Sequence, residues 1–313
     1  MAITTVDASS AAEQANASAL SGYVRKSELA EILVTDWHHP TSSEQAVTLR
    51  WPRTHPFYTV HEHSYSPLLF SESMRQALAL VSHTAFDIPL DHRLGWEYLR
   101  SAVNPAALRH TGSPAVVELR LVHTAVNRRK LGSVYLTVQV EASRDGMHLG
   151  TAELRYSTHP PVIYNRLRAN YADAQRAFAR ALPPVPPMSP GEVGRSAADD
   201  VVLAASGDPR RWRLRVDTAH PVLFDHPHDH LPGMVLLEAA GQAAQACASP
   251  QRVVATGFDT TFFRYVELDR PCWISALPGE PDALGRSRVH VEGHQANQPV
   301  FSCLVTTEPA EGM

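Results

Sequence analysis

Apolar residues surround the segment "MVLLEAAGQAAQAC" (234–247) on every side except at Glu238, Gln242 and Gln245. Those three fall at i, i+4 and i+7, one stripe of an α-helix. The pattern predicts a buried core helix opening after Pro232-Gly233, whose polar stripe must be satisfied or functional. An earlier segment, "LLFSESMRQALALVSH" (68–83), behaves alike. There Glu72, Arg75 and Gln76 fall at i, i+3 and i+4, and Arg75 is a possible partner for Glu72 on its own helix.

The two helices belong to an internal repeat. "THPFYTVHEHSYSPLLFSESMRQALALVSH" (54–83) and "AHPVLFDHPHDHLPGMVLLEAAGQAAQACAS" (219–249) both open on His-Pro and cross a histidine-rich loop to a proline. Both then enter the apolar run. Glu72 and Glu238 lie 166 positions apart, as do Gln76 and Gln242, while His55 and His220 are 165 apart. β-Branched, partly alternating runs follow each copy, such as "AVVELRLVHTAV" and "GSVYLTVQVEAS" in the first and "RSRVHVEGHQ" and "PVFSCLVTTEP" in the second. Each half therefore reads as a loop, one long buried helix and several antiparallel strands, an α+β fold. Between them lie a plausible amphipathic helix, "RLRANYADAQRAFARAL", and the Pro-rich stretch "PPVPPMSPGEVG". The expected organisation is a flexible N-terminal segment (1–45), a first half (46–165), a helical and Pro-rich linker (166–195) and a second half (196–313).

Composition narrows the class. The 313 residues are 44% hydrophobic and 19% charged, with a net charge of −4, which gives no global pull toward nucleic acid or an anionic membrane. Three cysteines, Cys247, Cys272 and Cys303, show no paired spacing. That argues for a reducing compartment and against a disulfide framework or a thiolate zinc site. No stretch approaches the roughly 18 apolar residues of a membrane span. No basic region followed by an apolar run opens the chain, so a cytoplasmic protein is expected. The Ala- and Ser-rich start is expected to be loose.

A central apolar helix wrapped by an antiparallel sheet, twice in one chain, is a double hot-dog arrangement. The frame Leu231-Pro232-Gly233-Met234 through Glu238-Ala239 to Gln242 resembles acyl-carrier-protein dehydratases of that fold, in which the helix Glu works with a loop His. A closer resemblance, over roughly residues 50–307, is to the A-factor biosynthesis family of γ-butyrolactone and butenolide precursor synthases. It is carried by "LRVDTAHPVLFDHPHDHLPGMVLLEAAGQAA", "TTFFRYVELDRPCWISA", "SPLLFSESMRQA" and "RYSTHP", in that family's recurrent kinds of segment. The resemblance implies transfer of a β-ketoacyl group from an acyl-carrier-protein thioester to dihydroxyacetone phosphate or a similar triose, then intramolecular condensation. It implies no cofactor, and it carries Glu72, Arg75 and Glu238 over as site residues. Where it implies an Arg three residues after the second Glu, this chain has Gly241.

That chemistry needs a base, oxyanion donors, a cationic clamp for phosphate and an apolar tunnel. Glu72 and Glu238, buried in apolar helices, are expected to have raised pKa values and to serve as catalytic carboxylates. His230 is the third catalytic candidate; it or His228 is expected to line the entrance, with the other loop histidines solvated. The turn at Gly233 and Met234 presents free N–H groups to an oxyanion. Gln76 and Gln242 are candidate substrate contacts. Arg75 and Arg264 are candidate cations for the phosphate, Arg264 being preferred to the Arg128–Lys130 cluster, which has the look of a hairpin tip. His55 and His220 are expected to order their loops, and Cys272 to be a small buried residue. "HPHDH" is one residue short of the HxHxDH metal motif, and no metal is expected. Two other classes fit the same scaffold: a dehydratase or thioesterase acting on the same thioester, and a non-catalytic lipid- or lactone-binding regulator. The halves can pair with each other in a monomer, and a homodimer is equally compatible.

Overall fold

The computed structural model describes residues 18–60, 64–110 and 112–310. His61, Glu62 and His63 of the first histidine-rich loop, and the first 17 residues, lie outside that range.

Among the described residues, twelve strands form one antiparallel sheet, six from each half. In the first half the order runs β1 (Val34–His38), β2 (Glu44–Trp51), β6 (Ala115–Arg128), β7 (Val134–Arg144), β8 (Met147–His159) and β5 (Arg93–Val103). The second half repeats it in mirror order from the seam outward: β11 (Val253–Phe262), β14 (Gln298–Pro309), β13 (Ser287–Gln295), β12 (Cys272–Gly279), β10 (Arg211–Leu214) and β9 (Leu203–Asp208). β5 and β11 form the seam, paired from Ala102↔Gly257 to Tyr98↔Thr261. A separate ribbon, β3 (Thr59–Val60) with β4 (Ser64–Tyr65), lies in the first histidine-rich loop.

Each half wraps one central helix. α1 (Leu68–Thr84) and α4 (Gly233–Ala248) are buried along almost their whole length, as their all-round apolar sequences require. The strands alternate buried and exposed positions, most clearly in β6 and β7, so one face of the sheet is given to the helices. α4 packs across β11–β14, and the two central helices touch each other. The α+β double hot-dog expectation is met.

Two boundaries differ from the sequence reading. Ordered structure begins before residue 46: residues 18–24 are helical, Leu20 and Val24 are buried, and β1 and β2 open at Val34 and Glu44. The amphipathic run in the linker is not one helix but two, α2 (Pro161–Arg168) and α3 (Ala174–Ala179). Ala169 takes φ +47° and breaks the first, and the Asp173 side chain accepts from Arg176 N–H to start the second.

Candidate active site

Both helix carboxylates are buried, Glu72 2% and Glu238 4% exposed, and both are neutralised by cations. Arg75 grips Glu72 with Nε and Nη2 at 2.8 and 2.7 Å, and Lys26 Nζ stands 3.4 Å away. Burial alone would raise the pKa of Glu72. Arg75, Lys26 and the hydrogen bonds from Arg75 and Gln76 override it and hold the group at about 2. The expectation of a raised pKa is therefore reversed for Glu72, because a carboxylate among cations is stabilised as the anion. Glu238 is held through both oxygens by the Nε and Nη2 of Arg195. The third nitrogen, Arg195 Nη1, donates to the Phe57 carbonyl of the first half at 2.7 Å, and the guanidinium stacks 4.1 Å from the Phe57 ring.

Lys26 and Arg195 are equivalent residues of the two halves. Each sits in the segment that enters its half and follows a left-handed residue, Arg25 (φ +55°) or Gly194 (φ +75°). The N–H of each cation closes a turn on a carbonyl five residues back, Lys26 on Ser21 and Arg195 on Pro190. The same segments deliver an acid and a backbone N–H to the helix glutamine. Gln76 accepts from Leu33 N–H and donates to the Glu31 carbonyl; Gln242 accepts from Val202 N–H and donates to the Asp200 carbonyl. All three pairs are 169 positions apart (26 to 195, 31 to 200, 33 to 202). Each glutamine also donates to its own helix Glu, at 2.8 and 2.6 Å, so both amides are taken up by the fold rather than offered to a substrate. Arg75 is committed likewise: its Nη1 donates to the Val24 carbonyl and its other nitrogens to Glu72, which leaves it poorly placed to clamp phosphate. In the second half Gly241 occupies the position of Arg75, and Arg195 is the only cation paired with Glu238 among the described residues.

The sequence signal for these cations was present. "KSELAEILV" (26–34) and "RSAADDVVL" (195–203) share a cation, a serine, an acid and three aliphatic positions in register. The first lies in the stretch expected to be a flexible N-terminal segment and the second starts at the last residue of the expected linker, both outside the repeated segments 54–83 and 219–249.

His55 and His220 order their loops. Nδ1 of each accepts two backbone N–H groups, from Phe57 and Tyr58 in one case and from Val222 and Leu223 in the other. Nε2 of each faces an acid of the entering segment, Glu31 or Asp200, at 3.2 Å. The Phe57 ring lies edge-on to His220, 5.1 Å between centroids, so the two loops meet.

The histidines of the second loop, expected to be solvated apart from one at the entrance, are partly buried: the His226 side chain is 34% and that of His230 24% exposed. Asp225, His226 and His228 bring donor atoms within 4.8 Å of one another, a set capable of chelating a cation. Asp225 is already engaged by Ser27 N–H and His226, with the charge of Lys26 nearby, and sits well below the usual carboxylate range. Burial, with neighbouring His226 and His230, pushes His228 down to about 3, so it is a neutral imidazole. His230, like His226 on Asp225, has its Nδ1 on the preceding aspartate, 3.0 Å from Asp229 Oδ1, and its ring packs on Tyr265 at 4.6 Å. Asp229 is fixed in turn by Tyr164 O–H and by Arg168, which also holds Glu267 at 2.7 Å. Burial opposes the charge of Asp229, but His230, Tyr164 and Arg168 prevail and keep it ionised. The acid orients the imidazole so that Nδ1 carries the hydrogen and Nε2 keeps its lone pair.

Three residues on, α4 starts with an open end. Pro232 caps it without a side-chain bond, and the Gly233 and Met234 N–H groups have no acceptor among the described residues. The first half is closed at the equivalent place. Pro67 has no N–H, Ser66 Oγ accepts from Leu68 N–H, and Ser64 stands where the second half has His230. Arg264 is exposed and donates to the Pro299 carbonyl, away from both buried carboxylates but adjacent in sequence to Tyr265. Arg128–Lys130 form the exposed tip of the β6–β7 hairpin. Cys272 is buried, its thiol pushed up to about 12, and all three cysteines are free. Among the described residues no helix is long and apolar enough to cross a membrane.

Two buried helices under one twelve-stranded sheet, with an Asp–His pair beside an open helix end, define a double hot-dog protein whose halves have diverged. Solved structures agree on that fold. An acyl-ACP thioesterase from Bacteroides thetaiotaomicron superposes with TM-score 0.51 at 12% identity, covering 84% of this chain and 98% of its own. A putative oleoyl thioesterase from Lactobacillus plantarum gives 0.51 at 11%, covering 86% and 98%. The chain belongs to the A-factor biosynthesis hotdog domain family, whose description matches residues 8–160 and 176–309. Relatives named 2-oxo-3-(phosphooxy)propyl 3-oxoalkanoate synthase include one from Streptomyces virginiae, 39% identical over 92% of this chain and 96% of its own. One from Streptomyces coelicolor is 36% identical over 89% and 88%.

Proposed function

We propose that this protein is a 2-oxo-3-(phosphooxy)propyl 3-oxoalkanoate synthase, working in its second half. The product named for its relatives is the ester of a β-ketoacyl group with the hydroxyl of dihydroxyacetone phosphate. His230 Nε2 takes the proton from that hydroxyl as its oxygen attacks the thioester carbonyl. Gly233 and Met234 N–H hold the oxyanion at the positive end of α4. The C–O bond forms, the C–S bond breaks, and the imidazolium returns its proton to the departing thiolate of the acyl carrier protein. Attack of the activated methylene on the triose ketone, with loss of water, closes the butenolide ring.

The observation that carries this reading is the asymmetry of the two helix ends: an oriented imidazole three residues before two free N–H groups in one half, and a proline and a capping serine in the other. Arg264, exposed and held by one carbonyl, is the cation we assign to phosphate at the entrance. Glu72 and Glu238 serve as anchors for cations and glutamines, not as bases. The test is mass spectrometry of products from β-ketoacyl thioesters of several chain lengths, with and without dihydroxyacetone phosphate. Thiol release at the same rate without the triose would instead identify a thioesterase.

A further inference from the structure

Arg195 does more than neutralise Glu238. Lys26 neutralises Glu72 from the equivalent position with one ammonium; its side chain makes no hydrogen bond to the second-half loop among the described residues, and the first-half segment meets that loop only through the next residue, Ser27 N–H on Asp225 at 3.0 Å. Arg195 has a planar guanidinium whose outer nitrogen reaches the Phe57 carbonyl and whose face covers the Phe57 ring. Phe57 belongs to the first-half loop built on His55, and its ring abuts His220, the residue that orders the second-half loop. One side chain, 7% exposed, therefore joins the linker, α4 and the first-half loop. The next residue in that loop, Tyr58, is fully buried, and burial with the charges of Glu72 and Glu238 holds its phenol well above the usual range.

We infer that Arg195 is a positioning residue: through Phe57 it latches the first-half loop against α4, so the second-half site is complete only when both halves are docked. The catalytic consequence rests on the function proposed above; the latch itself does not.

Lysine at 195 keeps the charge beside Glu238, as Lys26 does for Glu72, but loses the Phe57 bond and the planar stack. In Arg195→Lys the amides of Phe57 and Tyr58 should exchange hydrogen at least about tenfold faster, the order expected when one hydrogen bond of about 1.4 kcal/mol is lost. The kcat should fall at least about tenfold with KM for both substrates little changed. A second variant guards against misfolding. Arg195→Ala/Gly241→Arg returns a guanidinium to Glu238 from its own helix, at a position where an added Cβ meets only Phe258, at 3.9 Å. It should recover the thermal midpoint lost in Arg195→Ala but not the kcat. Unchanged exchange in Arg195→Lys overturns the latch, as does kcat within twofold of wild type, or full recovery of kcat in the double variant. If the wild type makes no ester, the proposed function falls, and the exchange measurement alone decides the latch.

Discussion

Replacing Glu72 with Gln keeps the side-chain shape and removes one buried charge. Its folded pKa of about 2 against an ordinary 4.5 is worth about 3 kcal/mol. The figure agrees with the roughly 3–5 kcal/mol lost when one partner of a buried pair is removed. Here that leaves Lys26 and Arg75 with Glu31 and Asp225 as the nearby acids. The sign follows from the depressed pKa. The stabilisation is fully present above the unfolded pKa of 4.5 and is lost as pH falls through the folded value near 2. Urea unfolding of wild type and Glu72→Gln should differ by about 3 kcal/mol near neutral pH, with the gap narrowing below about pH 4.5 and closing toward pH 2. Taking the difference cancels the similar contributions of Asp225 and Asp229. A gap under about 1 kcal/mol at neutral pH, or one that does not narrow in acid, would refute the account of Glu72 as an ion-pair anchor.

Other expectations follow from the second helix end and its loop. His230→Ala should lower kcat by about 10² to 10⁴, the usual contribution of a general base, while the thermal midpoint stays close to wild type; an active variant removes His230 from the chemistry. Gly233→Pro deletes one of the two free N–H groups at a position where proline suits a helix start. It should lower kcat by about 10² to 10³ with an unchanged circular dichroism spectrum, and retained activity would exclude the helix end as the oxyanion site. His220→Ala strands two loop N–H groups and should cost about 1–3 kcal/mol by urea unfolding. Cys272 and Cys303, with thiols at about 12, should resist iodoacetamide in the folded protein at pH 8, and rapid labelling of either would contradict their burial.

What the sequence revealed follows physical period. The helices were legible because a polar stripe on an otherwise apolar run, at i, i+4 and i+7 in one copy and at i, i+3 and i+4 in the other, has a helical period, and the double fold was legible because the Glu–Gln frame occurs twice. The roles of the polar stripe were not. Gln76 and Gln242 look like substrate contacts until Leu33 and Val202 are seen to dock on them. The pKa of Glu72 could not be inferred from its apolar helix, because Lys26 arrives from 46 positions away in a segment with no strong pattern. Arg195 was hidden in the same way. Gly241 suggested a missing cation; the one that pairs with Glu238 is Arg195, the counterpart of Lys26, carried on a turn that both halves share. The Asp229–His230 pair was visible as letters, but its distinction from the three neighbouring histidines depends on Tyr164 and Arg168, which reach it across more than 60 positions.

The seam between β5 and β11 places two hot-dog units on one polypeptide, and that changes what a substitution can do. In a dimer of identical chains every replacement appears at both equivalent positions, so a glycine in place of Arg75 would strip both carboxylates of the same partner. Fused in tandem, the copies are independent. One helix start can keep its serine and proline as a structural plug while the other is left open to a ligand, and one i+3 cation can disappear while its counterpart stays. A chain cut within the Pro-rich linker should therefore not yield two interchangeable units: the fragment carrying α4 holds the open helix end, and the other supplies the Phe57 loop that Arg195 grips.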